Sequence, residues 1–112
     1  MSTNDRAAIP GKLVSDLLVD DPDVFDLVEG FVEGLSRRLN EFRQAFEQHD
    51  WDDLARLAHQ LKGAGGSYGY ADLSRLAKTM EGAFRAHSAE RFEESMTRFE
   101  KLIAAARAGL QG

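Results

Sequence analysis

Residues 21–48 read DPDVFDLVEGFVEGLSRRLNEFRQAFEQ, and this stretch decides the fold class. Its apolar side chains recur at intervals of three and four residues, which is the period of one face of an α-helix. They are Phe25, Val28, Val32, Leu35, Leu39, Phe42 and Phe46. Asp21 followed by Pro22 is a typical pair for an N-cap and first turn. The stretch therefore predicts one long amphipathic helix from Pro22 to about Gln48.

The same spacing predicts further helices on both sides of this stretch. A short helix from about Pro10 to Val19 would cap the bundle. Asp50, Asp72 and Ser88 are predicted to open three longer helices, the last of which ends near residue 108. Gly69 is predicted to be the left-handed residue that ends the helix opened by Asp50. We therefore expect an all-α fold, an antiparallel up-down-up-down four-helix bundle with a short N-terminal capping helix, as one domain over residues 1–112.

Composition limits the classes of function. A chain of 112 residues with 43% hydrophobic and 29% charged residues has the size and composition of one globular domain. Its 14 Lys and Arg against 19 Asp and Glu give a net charge of −5, which disfavours coating of nucleic acid or of a membrane surface. The absence of cysteine excludes disulfides, thiol nucleophiles and thiolate metal sites. No apolar run resembles a signal peptide or a membrane span, so we expect a cytoplasmic protein. We also expect it to be a monomer.

His59 is the candidate reactive residue. On the helix opened by Asp50, the apolar stripe points in one direction, and His59 lies roughly 130° away from it at about 100° per residue. Its imidazole is therefore expected to face solvent. Its neighbours on that surface are Ala55, Gly63 and Gly66, which leave space for a flat protein partner.

The glycines and the lysine beside His59 favour a phosphoryl group as ligand. A glycine inside a helix costs about 1 kcal/mol relative to alanine, so helix stability does not explain Gly63 and Gly66. Close approach of another backbone explains them better. Lys62 lies three residues after His59, where an ammonium group can neutralise negative charge on the imidazole.

Residues 58–70, AHQLKGAGGSYGY, closely resemble the signature of histidine-containing phosphotransfer (Hpt) domains of two-component phosphorelays. The family pattern is A-H-x-L-K-G, then small residues, then a hydrophobic residue before a glycine. The resemblance implies that His59 accepts the phosphoryl group, that Lys62 stabilises its charge, and that Gly63 admits the partner. The predicted receiver docking surface consists of Ala55, Gln60, Gly63 and Gly66.

The resemblance also implies a function. The protein would accept a phosphoryl group from a receiver-domain aspartate or from a histidine kinase and pass it to another response regulator. It would be a phosphocarrier without ATP binding or autonomous catalysis, and would hold no intrinsic cofactor or metal. The sequence offers no carboxylate cluster beside His59, so Mg²⁺ is expected from the partner receiver domain.

Two other functions remain open. The chain could be the phospho-accepting amino-terminal module of a chemotaxis-type histidine kinase, or a helical adaptor that no longer transfers phosphate. Met1 and the absence of a linker favour a free-standing protein over an excised module.

Other polar residues have less specific interpretations. His49 and His87 lie near predicted helix ends and are interpreted as structural. The glycine run after Lys62 is not a dinucleotide-binding loop, because Tyr68 stands where that motif needs glycine and no strand precedes it. A positive rim for an acidic partner and an ordinary solvated surface explain four basic residues about equally well: Arg56, Arg75, Lys78 and Arg85.

Overall fold

The structure is a computed structural model that describes residues 9–111, so residues 1–8 and 112 of the predicted domain lie outside the described residues. The described residues form helices and turns, with no strand among them. The helices are α1 (Asp16–Asp20), α2 (Phe25–Glu33), α3 (Leu35–Glu47), α4 (Trp51–Ser67), α5 (Ala71–Arg85) and α6 (Phe92–Leu110), with a 3-10 turn at Pro22–Val24. No helix within residues 9–111 combines the length and the apolar character that crossing a bilayer needs.

The helices form the predicted all-α bundle. α3 packs against α4, α4 against α5, α5 against α6, and α6 against both α2 and α3, which closes the ring. Short joints between long helices make neighbours antiparallel. The largest side chains inside the ring are fully buried: Leu35, Phe42, Leu54, Leu61, Leu73, Met80, Met96 and Phe99. The core therefore runs along the bundle axis and leaves the outer faces of α4 and α5 free to carry polar groups.

The prediction of one unbroken helix from Pro22 to Gln48 was wrong. The chain starts with the 3-10 turn, and the α-helix is interrupted at Gly34 between α2 and α3. The Gly34 N–H bonds both to the Gly30 oxygen at 3.2 Å and to the Phe31 oxygen at 3.1 Å. Such shared bonds are common where a helical turn tightens. Two glycines one turn apart lower helix propensity by about 1 kcal/mol each relative to alanine, so the interruption falls at the weakest point of the stretch.

The first helix begins at Asp16 and not at Pro10. Its N-cap is Ser15, whose Oγ accepts a backbone N–H at 3.1 Å. Before this cap, the Leu13 N–H donates to the Ala105 oxygen in α6 at 2.9 Å. The segment before Ser15 is thus bound to α6, and α1 starts only after the Ser15 cap.

Two other predicted helix starts also need correction. The N-cap of α5 is Tyr70, two residues before the predicted Asp72. α6 begins at Phe92, four residues after the predicted Ser88. The Ser88 N–H bonds back to the Ala83 oxygen at 2.9 Å, so Ser88 belongs to the end of α5. Both errors are shifts along the chain that leave the order of the helices unchanged.

Candidate functional site

α4 holds His59 on its outer side, as predicted. The helix starts at Asp50, whose Oδ1 accepts the Asp53 N–H at 3.0 Å, which confirms the predicted N-cap. Four of the five predicted inward residues are buried, namely Leu54, Ala58, Leu61 and Gly65, and the fifth, Trp51, is half-buried. The side chain of His59 is 64% exposed. The periodicity of α4 therefore gave the correct direction of the imidazole.

Two glycines at the end of α4 have structural roles: Gly69 ends the helix, and Gly65 allows close packing. Gly69 has φ +83°, the left-handed conformation predicted for it. A Cβ at Gly69 would lie 2.5 Å from Ser15 Oγ, so the N-terminal segment also packs closely here. A Cβ at Gly65 would lie 3.1 Å from the Ser74 nitrogen in α5. Gly65 therefore allows α4 and α5 to pack closely, which sequence analysis did not anticipate.

Gly63 and Gly66 have no comparable packing reason. A Cβ at Gly63 would meet nothing within 4 Å, and one at Gly66 would meet only Ser74 Oγ at 3.8 Å. Both glycines are exposed, as is Gln60. This open surface beside His59 agrees with the hypothesis that a partner approaches there, which stays a prediction.

The predicted exposure of Ala55 beside His59 was wrong, although Ala55 lines a groove beside His59. It is only 6% exposed and belongs to the hydrophobic core cluster. Four residues before His59, it lies about 40° nearer to the inward stripe at 100° per residue. At that angle its small side chain is covered by the helix packing.

Glu81 in α5 is the residue that sequence analysis missed. It is only 8% exposed although it is a carboxylate. Its Oε2 lies 3.2 Å from His59 Nδ1, and its Oε1 lies 2.9 Å from Lys62 Nζ. Arg85, one turn later in α5, donates to Oε2 from Nη2 at 2.7 Å and from Nε at 3.1 Å. One carboxylate therefore connects the histidine with two cations.

A signal for Glu81 was present in the sequence. The apolar residues of α5 follow a helical stripe: Leu73, Leu76, Ala77, Met80 and Phe84. Glu81 falls on the same stripe, four residues after Ala77, where the pattern calls for an apolar side chain. A carboxylate on the inward face of an amphipathic helix needs a partner when it is buried. A charged residue at an apolar position of the stripe could therefore have identified Glu81 as a candidate site residue. It could not have identified the residues that pair with Glu81.

The charges around Glu81 favour one tautomer of the neutral His59 ring. Hydrogen bonds from Lys62 and then Arg85 lower the pKa of Glu81 to about 2, against the opposing effect of burial. The carboxylate is therefore ionised at neutral pH and can only accept a hydrogen bond. In the neutral imidazole, the proton that this carboxylate accepts lies on Nδ1, and the lone pair is then on Nε2. The neutral ring thus has its lone pair on the nitrogen that does not face Glu81.

Comparison with known proteins identifies the family of this chain. The family model for the Hpt domain matches residues 26–109. The chain belongs to the Hpt domain family. Hpt domains are phosphocarrier modules of two-component signalling that interact with receiver domains or kinases, and they are not catalytic enzymes. Searches of the curated proteins and of the solved structures returned no match.

Among the remaining polar candidates of this Hpt domain, His87 and three basic residues have local partners. His49 and His87 adopt φ values of 55° and 53° just beyond helix ends, and the His87 ring stacks on Trp51 with centroids 5.4 Å apart. Of the four predicted rim residues, three pair with carboxylates of their own helix: Arg56 with Asp53, Arg75 with Asp72, and Arg85 with Glu81. Within residues 9–111, no group of three or more His, Asp or Glu side chains is arranged to hold a metal ion.

Proposed function

We propose that this Hpt domain is a phosphorelay intermediate that carries a phosphoryl group reversibly on Nε2 of His59. The observation that supports the proposal most directly is the 3.2 Å contact between His59 Nδ1 and the ionised carboxylate of Glu81. A carboxylate that accepts from one ring nitrogen orients the imidazole and fixes its tautomer. The other nitrogen is then ready to attack an electrophile without prior proton transfer.

Uptake from a receiver domain is a single displacement at phosphorus. The Nε2 lone pair of His59 attacks the phosphoryl group of a phospho-aspartate, and an N–P bond forms. The P–O bond to the aspartyl carboxyl group breaks, and its electron pair leaves on the carboxylate. The proton stays on Nδ1, so the ring becomes cationic, and Glu81 stabilises that charge. Transfer to a second receiver is the same step in reverse.

The remaining requirements of the reaction fall to Lys62 and to the partner. Lys62 neutralises part of the phosphoryl charge. Gln60, Gly63 and Gly66 form the surface against which the receiver docks. The receiver supplies Mg²⁺ and its acidic pocket, and this Hpt domain has no ATP site of its own. Cognate partners are response-regulator receivers, with a histidine kinase as the other source of phosphate.

The proposal is tested by measuring the intact mass of the protein after incubation with a phosphorylated receiver domain and Mg²⁺. We expect an acid-labile adduct of one phosphoryl group that His59→Gln abolishes. His87→Gln removes another exposed histidine and is the matched control, which should leave the adduct unchanged. An adduct that persists in His59→Gln, or no adduct with any of several receivers, contradicts the proposal. Uptake from a kinase and ATP but from no receiver would instead favour a module of a chemotaxis-type kinase.

A further inference from the structure

Lys62 is already bound before any phosphoryl group arrives. Its Nζ lies 2.9 Å from Glu81 Oε1, whereas the phosphoryl group of the proposed reaction attaches to His59 Nε2. The nitrogen that faces Glu81 is Nδ1, on the other side of the ring. To stabilise charge at Nε2, the ammonium group of Lys62 must therefore exchange Oε1 for the phosphoryl oxygens. A buried carboxylate that loses its only cation would oppose this exchange strongly.

Arg85 removes that obstacle. It binds Glu81 through two N–H donors, and both go to Oε2, the oxygen that Lys62 does not use. Oε2 is also the atom that faces His59. The departure of Lys62 therefore leaves Glu81 paired with a cation, and leaves undisturbed the oxygen that orients the imidazole. Because a guanidinium fork holds its acceptor in a fixed geometry, Arg85 suits this task better than a second lysine would.

We propose that Arg85 is a positioning residue for phosphotransfer: it holds Glu81 in place so that Lys62 can move from Glu81 to the phosphoryl group on His59. Arg85 itself touches neither Nε2 nor the partner's phosphorus in this mechanism. The inference rests on the proposed function and assigns different roles to the two cations: Arg85 holds Glu81, and Lys62 binds the phosphoryl group. No covalent bond changes in the exchange, since Lys62 only replaces one anionic hydrogen-bond acceptor by another.

The chain offers a matched control for Arg85. Arg56 lines the same open groove beside His59 as Arg85 does, and their side chains are similarly exposed, at 56% and 63%. Arg56 pairs with Asp53 and has no bond to Glu81. Arg56→Ala and Arg85→Ala therefore remove the same charge from the same groove. A general effect of positive charge would appear in both variants, whereas the proposed role belongs to Arg85 alone.

The first measurement is the rate at which His59 takes up phosphate from phosphoramidate, whose P–N bond breaks as ammonia leaves. This small donor removes protein docking from the comparison. Arg85→Ala should lower the rate about tenfold, which corresponds to the loss of a charge-assisted hydrogen bond. Arg85→Lys should restore part of the rate, because it returns the charge without the two fixed donors, and Arg56→Ala should stay within about twofold of the unsubstituted protein. Arg85→Gln, which keeps a donor without the charge, replaces Arg85→Ala if that variant does not fold.

The second measurement follows the exchange itself. The ¹⁵N resonance of Lys62 Nζ should shift when His59 is phosphorylated in the unsubstituted protein, and should shift less in Arg85→Ala. Equal uptake rates for Arg85→Ala and Arg56→Ala, or a Lys62 resonance that does not move on phosphorylation, would overturn the inference and leave the proposed function intact. Failure of the unsubstituted protein to accept phosphate from both phosphoramidate and receivers would overturn the proposed function, and this inference with it.

Discussion

The carboxylate of Glu81 distinguishes the two ring nitrogens of His59, because it contacts only Nδ1. A solvent-exposed histidine normally exchanges between two tautomers, and either ring nitrogen can act as nucleophile. Here Oε2 lies 3.2 Å from Nδ1 and is ionised, because Lys62 and Arg85 bind the same carboxylate. The ring is therefore restricted in orientation and in tautomer while most of its surface stays open to a partner.

Removal of the Glu81 charge should slow phosphoryl uptake. Glu81→Gln keeps an oxygen that can accept from Nδ1 but cannot stabilise the cationic ring formed when Nε2 attacks. We expect the rate of uptake from phosphoramidate to fall about tenfold, the effect of one charge-assisted hydrogen bond. The control is Glu93→Gln, which neutralises an exposed carboxylate that pairs with Arg43 on another part of the surface. Equal rates for Glu81→Gln and the control would contradict the role assigned to Glu81.

Glu81 should also make stability depend on pH in acid. Its folded pKa of about 2 lies below its ordinary value of 4.5, so the group stabilises the folded state at pH values above 4.5. That contribution is lost as pH falls from 4.5 towards about 2, because the carboxylate becomes protonated. Urea unfolding should show Glu81→Gln to be less stable than the unsubstituted protein at neutral pH. The difference should shrink through this acid window, and a constant difference down to pH 2 would contradict the assignment.

The sequence identified part of the site because that part lies on one helix. His59, Lys62 and Gly63 fall within one continuous motif, and helical periodicity alone gave the outward direction of His59. Glu81 lies 22 residues from His59 in the chain. The contact between them exists only because α4 and α5 pack side by side, which no local pattern specifies. The same limit explains why Arg85 was interpreted as either a rim residue or a solvated surface residue, and not as a partner of Glu81.

At the scale of the helix, two glycines of α4 differ in how closely other atoms approach them. Gly65 faces α5, where a Cβ would lie 3.1 Å from the Ser74 nitrogen and 3.2 Å from Leu73 Cβ. Gly63 faces solvent, where a Cβ would meet nothing within 4 Å. The first glycine therefore stabilises the packing of the pair, whereas the second destabilises the helix without any structural gain inside the described residues.

Alanine at these two positions should change stability in opposite directions. Gly63→Ala should raise the free energy of unfolding by about 1 kcal/mol, since alanine is the better helix former. Gly65→Ala should lower it, because α4 and α5 must separate by a few tenths of an ångström along a buried contact. Urea unfolding of the two variants measures both effects. Destabilisation by Gly63→Ala would contradict the open space around Gly63, where a Cβ meets nothing within 4 Å.

A larger side chain at Gly63 should separate chemistry from docking. Gly63→Gln places an extended side chain on the surface beside His59, in space that the helix leaves open. We expect transfer from a phosphorylated receiver to fall about tenfold or more, because a docked backbone would meet that side chain. Uptake from phosphoramidate should change less than twofold, since a small donor needs no docking surface. Loss of both activities would mean that the substitution disturbs His59 itself.

The predicted helix boundaries were correct where the signals are local. Asp50 and Gly69 were identified as the ends of α4 because a side-chain cap and a left-handed glycine act through their own neighbours. The start of α1 was misplaced because Leu13 bonds to Ala105, which lies far away in the chain. The start of α6 was misplaced because the Ser88 N–H belongs to the end of α5. Hydrogen bonds made to other elements leave no mark on the periodicity of a sequence.

At the scale of the whole molecule, the N-terminal segment links distant parts of the bundle. The Leu13 N–H donates to the Ala105 oxygen of α6, and the Asp16 N–H donates to the Gly69 oxygen in the turn between α4 and α5, both at 2.9 Å. Ser15 Oγ donates to the oxygen of Tyr68 at 2.5 Å. The segment therefore holds the start of the described chain against the end of the helix that carries His59.

Gly69→Ala should release this segment. The new Cβ would lie within 3 Å of Ser15 Oγ and of the backbone nitrogens of Leu17 and Asp16, and φ +83° is unfavourable for alanine. We expect a loss of about 1 to 3 kcal/mol in the free energy of unfolding. Hydrogen exchange at the Leu13 and Asp16 amides should accelerate more than exchange in α5. Unchanged exchange at those two amides would show that the segment docks without Gly69.

All four members of the charged group, His59, Lys62, Glu81 and Arg85, lie on α4 and α5, which are joined by only three residues. The proposed reactive centre thus lies on a single helical hairpin, against which α3 and α6 pack. During synthesis, both arms of this hairpin emerge from the ribosome before α6 does. The remaining helices contribute none of these four side chains and act on the site through their packing against the hairpin.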